Sequence, residues 1–136
     1  TIRLGQSPMR SPSVFNFFRP RYTPPVTELA RRGLVAPELQ ITDETSIAGY
    51  LNFVAIYVDR GWEDLQPPYT AEIALAADAD ALVARVVLLL AGDAFSAATA
   101  QAIAQAVDTL PRERPRDRVR AAITLVAASP EYLVQK

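Results

Sequence analysis

The sequence contains neither cysteine nor histidine among its 136 residues. Without cysteine the chain forms no disulfide and no thiolate metal site, and without histidine it lacks the commonest metal ligand and general base. Zinc hydrolysis and Ser-His or Cys-His nucleophilic catalysis therefore cannot be completed within this chain. We expect no metal and no cofactor. Lack of cysteine suits an exported protein as well as a cytoplasmic one, so it does not decide the compartment.

Long apolar runs and glycine-rich loops are also missing. Arg85 and Asp93 bracket the apolar run 86–92, which is far shorter than the roughly 18 to 20 residues that cross a bilayer. No membrane span is therefore predicted. Gly5 stands alone, and no glycine-rich phosphate loop is present. The chain begins at Thr1 without methionine, so we expect any targeting segment to lie upstream.

The net charge is only −1, but the charges are segregated along the chain. Residues 1–40 hold six arginines against two acids, residues 41–110 hold ten acids against two arginines, and residues 111–136 hold six bases against three acids. Segments of opposite sign favour packing of the two ends around the middle. Nucleic-acid binding calls for a basic domain, so no nucleic-acid partner is predicted.

Proline is plentiful, with eleven in all and six in the first 40 positions. Residues 1–41 are therefore predicted to be an irregular, proline-rich segment with short helices, packed on a helical bundle. The apolar face of Val14, Phe17 and Phe18 predicts a short helix that ends at Pro20. A second short helix should run from Thr27 to Gly33, and residues 34–41 should be extended.

The remainder, residues 42–136, shows the spacing of an all-α fold: a bundle of about four main helices with short accessory helices. Those four are predicted at 42–60, from Asp78 or Asp80 to 91, at 96–109 and at 115–128, with short helices at 70–77 and 131–134. The whole is expected to form one domain. The predicted inward residues are Ile47, Tyr50, Leu51, Val54, Val58, Leu82, Val83, Val86, Leu89, Leu90, Ile103, Val107, Leu110, Val119, Ile123 and Val126.

Two polar clusters invite a chemical interpretation, but a structural one accounts for each. Asp78 and Asp80 could pair on a metal, yet both stand where a helix N-cap belongs. Five arginines between 112 and 120 could bind phosphate, but a solvated, charge-mixed helix start is the simpler interpretation.

A third cluster follows the phenylalanine-rich block. Arg19, Arg21 and Tyr22 lie on a proline-braced segment, and rigid loops often present binding groups. They are our candidate ligand-binding residues, but a structural salt bridge formed by one of the arginines, for example with Glu38, is the favoured interpretation. Three aromatic rings in so short a piece also need a partner surface, which makes Phe15, Phe17 and Phe18 a candidate interaction surface.

Several stretches together resemble the bacterial family known as domain of unknown function 1800. The resemblance lies in Leu4–Pro8, in Arg10–Pro20 with Tyr22 and Pro24-Pro25, in Gly33–Glu38 with Gln40-Ile41, and in Ala128–Lys136. Arg21 stands where that pattern carries glycine. The resemblance implies that this chain is the last part of a longer bacterial protein whose N-terminal remainder is also helical. It also implies that this protein is exported, to the periplasm or the extracellular space. It further implies a sulfatase-like protein encoded nearby. It brings no established activity and no catalytic residue.

Two functional hypotheses follow. The first is a non-catalytic helical C-terminal domain that completes or docks a larger exported protein through Phe15, Phe17 and Phe18. The second is part of an enzyme or ligand-binding site formed with the N-terminal remainder, in which Arg19, Arg21 and Tyr22 bind an anionic or sugar-like ligand. No catalytic constellation stands within this chain, so enzyme activity is left open.

Overall fold

The computed structural model describes residues 4–134, apart from the side chain of Asp93. Residues 1–3 and 135–136, which belong to the predicted segments 1–41 and 42–136, lie outside the described residues. Within the described range the structure has seven α-helices and no β-strand. The helices pack against each other, so the predicted all-α fold is confirmed.

The seven helices follow one another in chain order and vary widely in length. They are α1 (Glu28–Arg31), α2 (Glu44–Arg60), α3 (Thr70–Leu75), α4 (Ala79–Ala91), α5 (Ala97–Asp108), α6 (Pro115–Ala128) and α7 (Pro130–Leu133). Short 3-10 helices lie at Pro37–Ile41 and Gly92–Ala94. The four main helices predicted from periodicity are α2, α4, α5 and α6.

Side-chain caps define where the C-terminal helices begin. Asp78, Ser96 and Ser129 each accept a hydrogen bond from the backbone N–H three residues further on, at 3.1, 3.1 and 3.3 Å. Such a bond satisfies one of the donors that a helix N-terminus leaves unpaired. The prediction that Asp78 caps a helix is confirmed.

The cap of α2 differs from the one that the sequence predicted. Asp43, not Thr42, accepts from the N–H of Ser46 at 2.7 Å, and the Ser46 hydroxyl accepts from the N–H of Asp43 at 3.0 Å. This reciprocal pair is a capping box with serine in the usual place of glutamate. Thr42 and Asp43 could each cap α2, but only Asp43 has a hydrogen-bond partner three residues further on.

The chain divides into two compact units, residues 1–52 and residues 53–136, and the division falls within α2. Each unit is therefore described by itself. The predicted boundary after residue 41, and the packing of the first segment on the bundle, stay predictions.

The second unit contains a hydrophobic core formed by α4, α5 and α6. Each of these helices packs against the other two. The largest contributions come from Leu82, Val83, Val86, Ile103, Val107, Val119 and Val126, all of them predicted.

Three predicted core residues are wrong. One is Ile47 of α2, which is 39 % exposed. The other two lie in α4. Leu89 and Leu90 are exposed, as is Leu88 beside them. The apolar spacing identified the inward face of α4, but spacing does not say how far along a helix its neighbours cover that face. Burial along α4 stops at Val86, a turn before the helix ends.

The first unit has almost no core of its own. Among described residues 4–52 only Ala36 is buried, with 6 % of its surface exposed. Large apolar side chains instead face solvent, namely Met9, Val14, Phe15, Val26, Leu34, Val35 and Ile47. Helix α2 continues this pattern, since none of its 17 residues is buried.

The predicted helix over Val14–Phe18 is wrong, because residues 13–16 form a tight turn. The Ser13 hydroxyl accepts from the N–H of Phe15 at 3.2 Å, while the N–H of Asn16 donates to the Ser13 carbonyl at 3.0 Å. Asn16 has a φ of 61°, in the left-handed region that asparagine tolerates better than most residues. Serine and asparagine therefore offer the backbone local partners that compete with a helix.

The region after α1 is partly as predicted. Gly33 ends α1 with a φ of 65°, and the N–H of Leu34 donates to the Leu29 carbonyl at 2.9 Å, which is the glycine-ended helix stop that was expected. Residues Pro37–Ile41, predicted to be extended, instead form a 3-10 helix, for which proline is well suited at the first position.

None of the helices in the described part of the chain is long and apolar enough to cross a membrane.

Candidate functional site

The segment of residues 19–23 is held in place by hydrogen bonds to residues 34–40. The N–H of Arg19 donates to Gln40 Oε1 at 2.6 Å, and the N–H of Ala36 donates to the Tyr22 carbonyl at 2.8 Å. The Thr23 hydroxyl donates to the Leu34 carbonyl at 2.9 Å. These bonds fix the backbone and leave the side chains of Arg19 and Arg21 exposed.

An open groove with a volume of about 640 Å³ lies along this segment. Its lining brings together four of the six predicted site residues: Phe15, Arg19, Arg21 and Tyr22. Ser13, Pro20 and Thr23 complete it. We call this set the arginine groove. The three predicted ligand-binding residues therefore lie in one concave surface.

The phenylalanines do not share one surface. Phe15 lines the arginine groove and is 56 % exposed. Phe17 lines a second concavity of about 720 Å³, together with Leu4, Pro8 and Met9. Phe18 is half-buried. The turn at Asn16 separates Phe15 from Phe17, whereas a helix would have aligned positions 14, 17 and 18.

The cations of the arginine groove are unpaired. With the described residues, neither the Arg19 nor the Arg21 guanidinium forms an ion pair or a hydrogen bond. The favoured interpretation, a structural salt bridge with Glu38, is therefore wrong: Glu38 is exposed, and the side chain that approaches Arg19 is that of Gln40. Arg21 does not have a positive φ, so its backbone does not require the glycine of the family pattern.

The second unit contains a buried cation that the sequence did not predict. Arg118 is fully buried, although the arginines from 112 to 120 were predicted to be solvated. Its Nε donates to the Ala76 carbonyl at 2.7 Å, Nη1 to the Leu110 carbonyl at 2.7 Å, and Nη2 to Asp108 Oδ1 at 2.9 Å.

Arg118 is a structural clamp rather than a binding group. It ties the residues after α3 and the end of α5 to α6. A signal was present in the sequence: Arg118 stands four residues before Ala122, within the apolar face of α6, where a solvated side chain is not expected. Its neighbour Arg120 pairs with Asp59 at 2.7 Å.

Arginine side chains lower the pKa of two carboxyl groups in the second unit. Arg85 Nε donates to Glu72 Oε1 at 2.7 Å, and this bond holds the pKa of Glu72 below its ordinary value. The bond from Arg118 likewise lowers the pKa of Asp108. Burial raises the pKa of Tyr69, whose hydroxyl donates to the Val58 carbonyl at 3.2 Å. None of these groups is poised near neutral pH for acid–base catalysis.

The acidic candidates do not assemble into a metal site. Asp78 and Asp80 line one shallow concavity with Asp108, but Asp78 caps α4 and Asp108 binds Arg118. Throughout residues 4–134, no group of three or more acidic side chains is arranged to hold a metal ion. Capping, not metal binding, is the role that the structure gives Asp78.

Comparison with known proteins identifies the family. The model of the family described as Protein of unknown function (DUF1800) matches residues 1–134. The chain belongs to this family. No curated protein and no solved structure matches it. Because the DUF1800 description carries no activity, membership assigns no catalytic residue to this DUF1800 chain. Any functional assignment depends on the surfaces described above.

Proposed function

We propose that the chain is a non-catalytic helical C-terminal domain that docks on the remainder of a larger, exported bacterial protein. The observation that carries this proposal is the missing core of the first unit. Among described residues 4–52 only Ala36 is buried, while seven large apolar side chains are exposed. Monomeric domains rarely leave so much apolar surface uncovered.

Helix α2 supports the same proposal. It is the longest helix among the described residues, yet it buries no residue, and it exposes Ile47, Phe53 and Ile56. A helix of this length in a folded domain normally has one face covered, since most helical stability comes from packing an amphipathic face. A partner surface from the helical remainder of the protein would supply that cover.

The proposal is tested by Phe15→Ser, measured both in the longer protein and in the isolated chain. If Phe15 becomes covered in the longer protein, the substitution should lower its Tm by about 2–4 °C, from roughly 1 kcal/mol of lost burial. In the isolated chain it should leave the Tm unchanged, because more than half of this side chain already faces solvent. The matched control is Leu88→Ser, which changes an exposed side chain of the second unit.

A Tm that is unaltered by Phe15→Ser in both contexts would refute docking through Phe15. Hydrogen exchange gives an independent check: residues 4–52 should exchange more slowly in the longer protein than in the isolated chain. The same measurements, repeated with the sulfatase-like neighbour added, would identify it as a second partner if protection increases.

A second function is supported by a separate observation, the open arginine groove. There Arg19, Arg21 and Tyr22 would form part of an enzyme or ligand-binding site completed by the N-terminal remainder. The unpaired, exposed state of Arg19 favours a binding role over a structural one. In this case Arg19→Ala should abolish binding or activity of the longer protein without changing its Tm, and full retention of function would exclude the site.

A further inference from the structure

The arginine groove places two uncompensated cations beside an exposed ring, that of Phe15, and a half-buried ring, that of Tyr22. Arg19 and Arg21 stand two residues apart, and within the described chain no carboxylate neutralises either one. By contrast, Arg31 and Arg32 of α1 both pair with Glu28. Like charges held close together are unfavourable, so a groove of this kind is stabilised by any occupant that brings negative charge.

We propose that the arginine groove binds an acidic polypeptide segment in which a carboxylate lies next to an apolar side chain. This inference rests on the docking function proposed above and specifies the chemistry of the docked surface. Guanidinium groups bind carboxylates with two parallel hydrogen bonds, and the rings of Phe15 and Tyr22 offer faces to an apolar neighbour.

The backbone of the groove favours a carboxylate side chain over a free phosphate. Phosphate sites usually gather several backbone N–H groups around the anion. Here the N–H groups of Phe15, Arg19 and Tyr22 are already engaged, with Ser13 Oγ, Gln40 Oε1 and the Arg19 carbonyl as their acceptors. These three backbone donors are thus not available to an anion, and the two guanidinium groups and the rings suit a peptide with alternating charge and apolar bulk.

The groove is also arranged before its partner arrives. The bonds from Arg19 to Gln40 and from Ala36 to Tyr22 fix the backbone on both sides of Pro20, whose ring restricts its own φ. The backbone of this segment therefore needs no rearrangement when a ligand binds. A preformed surface loses less conformational entropy on association, which makes even a short peptide a usable probe.

The test uses a blocked tetrapeptide of sequence Asp-Phe-Asp-Phe, titrated into the protein while NMR signals of the groove aromatics are followed. We expect saturable shifts for Phe15 and Tyr22. Arg19→Glu and Arg21→Glu should each weaken binding about fivefold, as for the loss of one exposed ion pair. Arg10→Glu is the matched control, because Arg10 is exposed, unpaired with described residues and outside the groove.

A charge exchange makes the test specific. The double variant Arg19→Glu, Arg21→Glu should bind a Lys-Phe-Lys-Phe peptide more tightly than the unaltered protein does. Equal binding of an Asn-Phe-Asn-Phe peptide would overturn the proposal, as would equal weakening by Arg10→Glu or full displacement of the peptide by equimolar inorganic phosphate. If a Glu variant loses its helical circular dichroism, Arg19→Gln provides the same comparison with a smaller change.

The docking function and the acidic partner fail in different ways. If Phe15→Ser lowers the Tm of the longer protein while Arg19→Glu leaves it unchanged, docking stands and the acidic partner is excluded. If neither substitution changes that Tm and the peptide still binds selectively, the groove recognises acidic peptides but does not dock the domain.

Discussion

Replacing Arg118 with alanine removes the guanidinium that joins three chain segments of the second unit. Its three hydrogen bonds, to Ala76, Leu110 and Asp108, are between 2.7 and 2.9 Å long. The Arg118 side chain is fully buried, so its removal leaves a cavity and takes a donor away from each of these acceptors. We expect this to be the most destabilising single substitution among the arginines of the chain.

The expected loss can be worked out from the acceptors that are left behind. A buried carbonyl without a donor costs about 1–3 kcal/mol, which applies in full to Ala76 and in part to Leu110. The aliphatic stem of Arg118 adds the loss of buried methylenes and a cavity. Asp108 is half-exposed, so water replaces the lost hydrogen bond and Asp108 adds nothing to the expected loss of stability. The total is about 3–5 kcal/mol, a large fraction of a typical domain's stability.

The assay is urea denaturation followed by circular dichroism at 222 nm, with three variants compared. Arg118→Met keeps most of the volume and should lose less than Arg118→Ala, because only the hydrogen bonds disappear. Arg118→Lys keeps the charge but cannot reach three acceptors with the planar geometry of a guanidinium, so it should also destabilise. Arg116→Ala, an exposed position on the same helix, is the matched control.

The reasoning is refuted if Arg118→Ala costs no more than Arg116→Ala. It is also refuted if Arg118→Met is as stable as the unaltered protein, since the buried carbonyls would then need no donor.

Three further predictions test local features of the second and first units. Gly61→Ala should destabilise the protein by about 2–3 kcal/mol in urea denaturation, because the φ of Gly61 is 73° and the added Cβ would clash with the backbone of the following turn. The control is Gly33→Ala. Gly33 has a φ of 65° but open space around it, so this change should cost only about 1 kcal/mol. Asp78→Ala should lower stability by about 0.5–2 kcal/mol through loss of the α4 cap, and Asp80→Ala in the same first turn should not. The folded-state pKa of Glu72 is lowered, so the stabilisation from its ionised form is present above the unfolded-state pKa and is lost as pH falls through the folded-state pKa. The Tm of Glu72→Gln should therefore decline less than that of the unaltered protein between about pH 5 and pH 3.

Helix positions in the second unit were predictable because local chemistry and packing agree there. Ser96 and Ser129 carry cap side chains directly before apolar residues at helical spacing, and the structure uses both. Val107 and Val126 lie on stripes that three mutually packed helices cover completely. Where helix caps and apolar spacing favour the same conformation, the sequence pattern alone predicts the helix.

The failures have two causes: local side-chain and backbone interactions that compete with a helix, and partners that are distant in the sequence. Periodicity predicted a helix through Phe17, but the hydroxyl of Ser13 and the left-handed backbone of Asn16 favour a turn. Arg118 was expected in solvent because arginine usually is exposed; its place on the apolar face of α6 indicated burial, but not which backbone carbonyls would accept its hydrogen bonds. Which residues line the arginine groove was likewise predictable only as a cluster in sequence, since Gln40 fixes Arg19 from 21 positions away.

The succession of α4, α5 and α6 has a kinetic consequence. These three helices are consecutive in the chain and supply almost the whole core of the second unit, so most of its stabilising contacts join segments that are close in sequence. Low contact order of this kind favours folding within microseconds to milliseconds. Residues 4–52, with a single buried side chain, gain little when they become ordered. A protease added during refolding should therefore digest them at a stage when residues 79–128 already resist it.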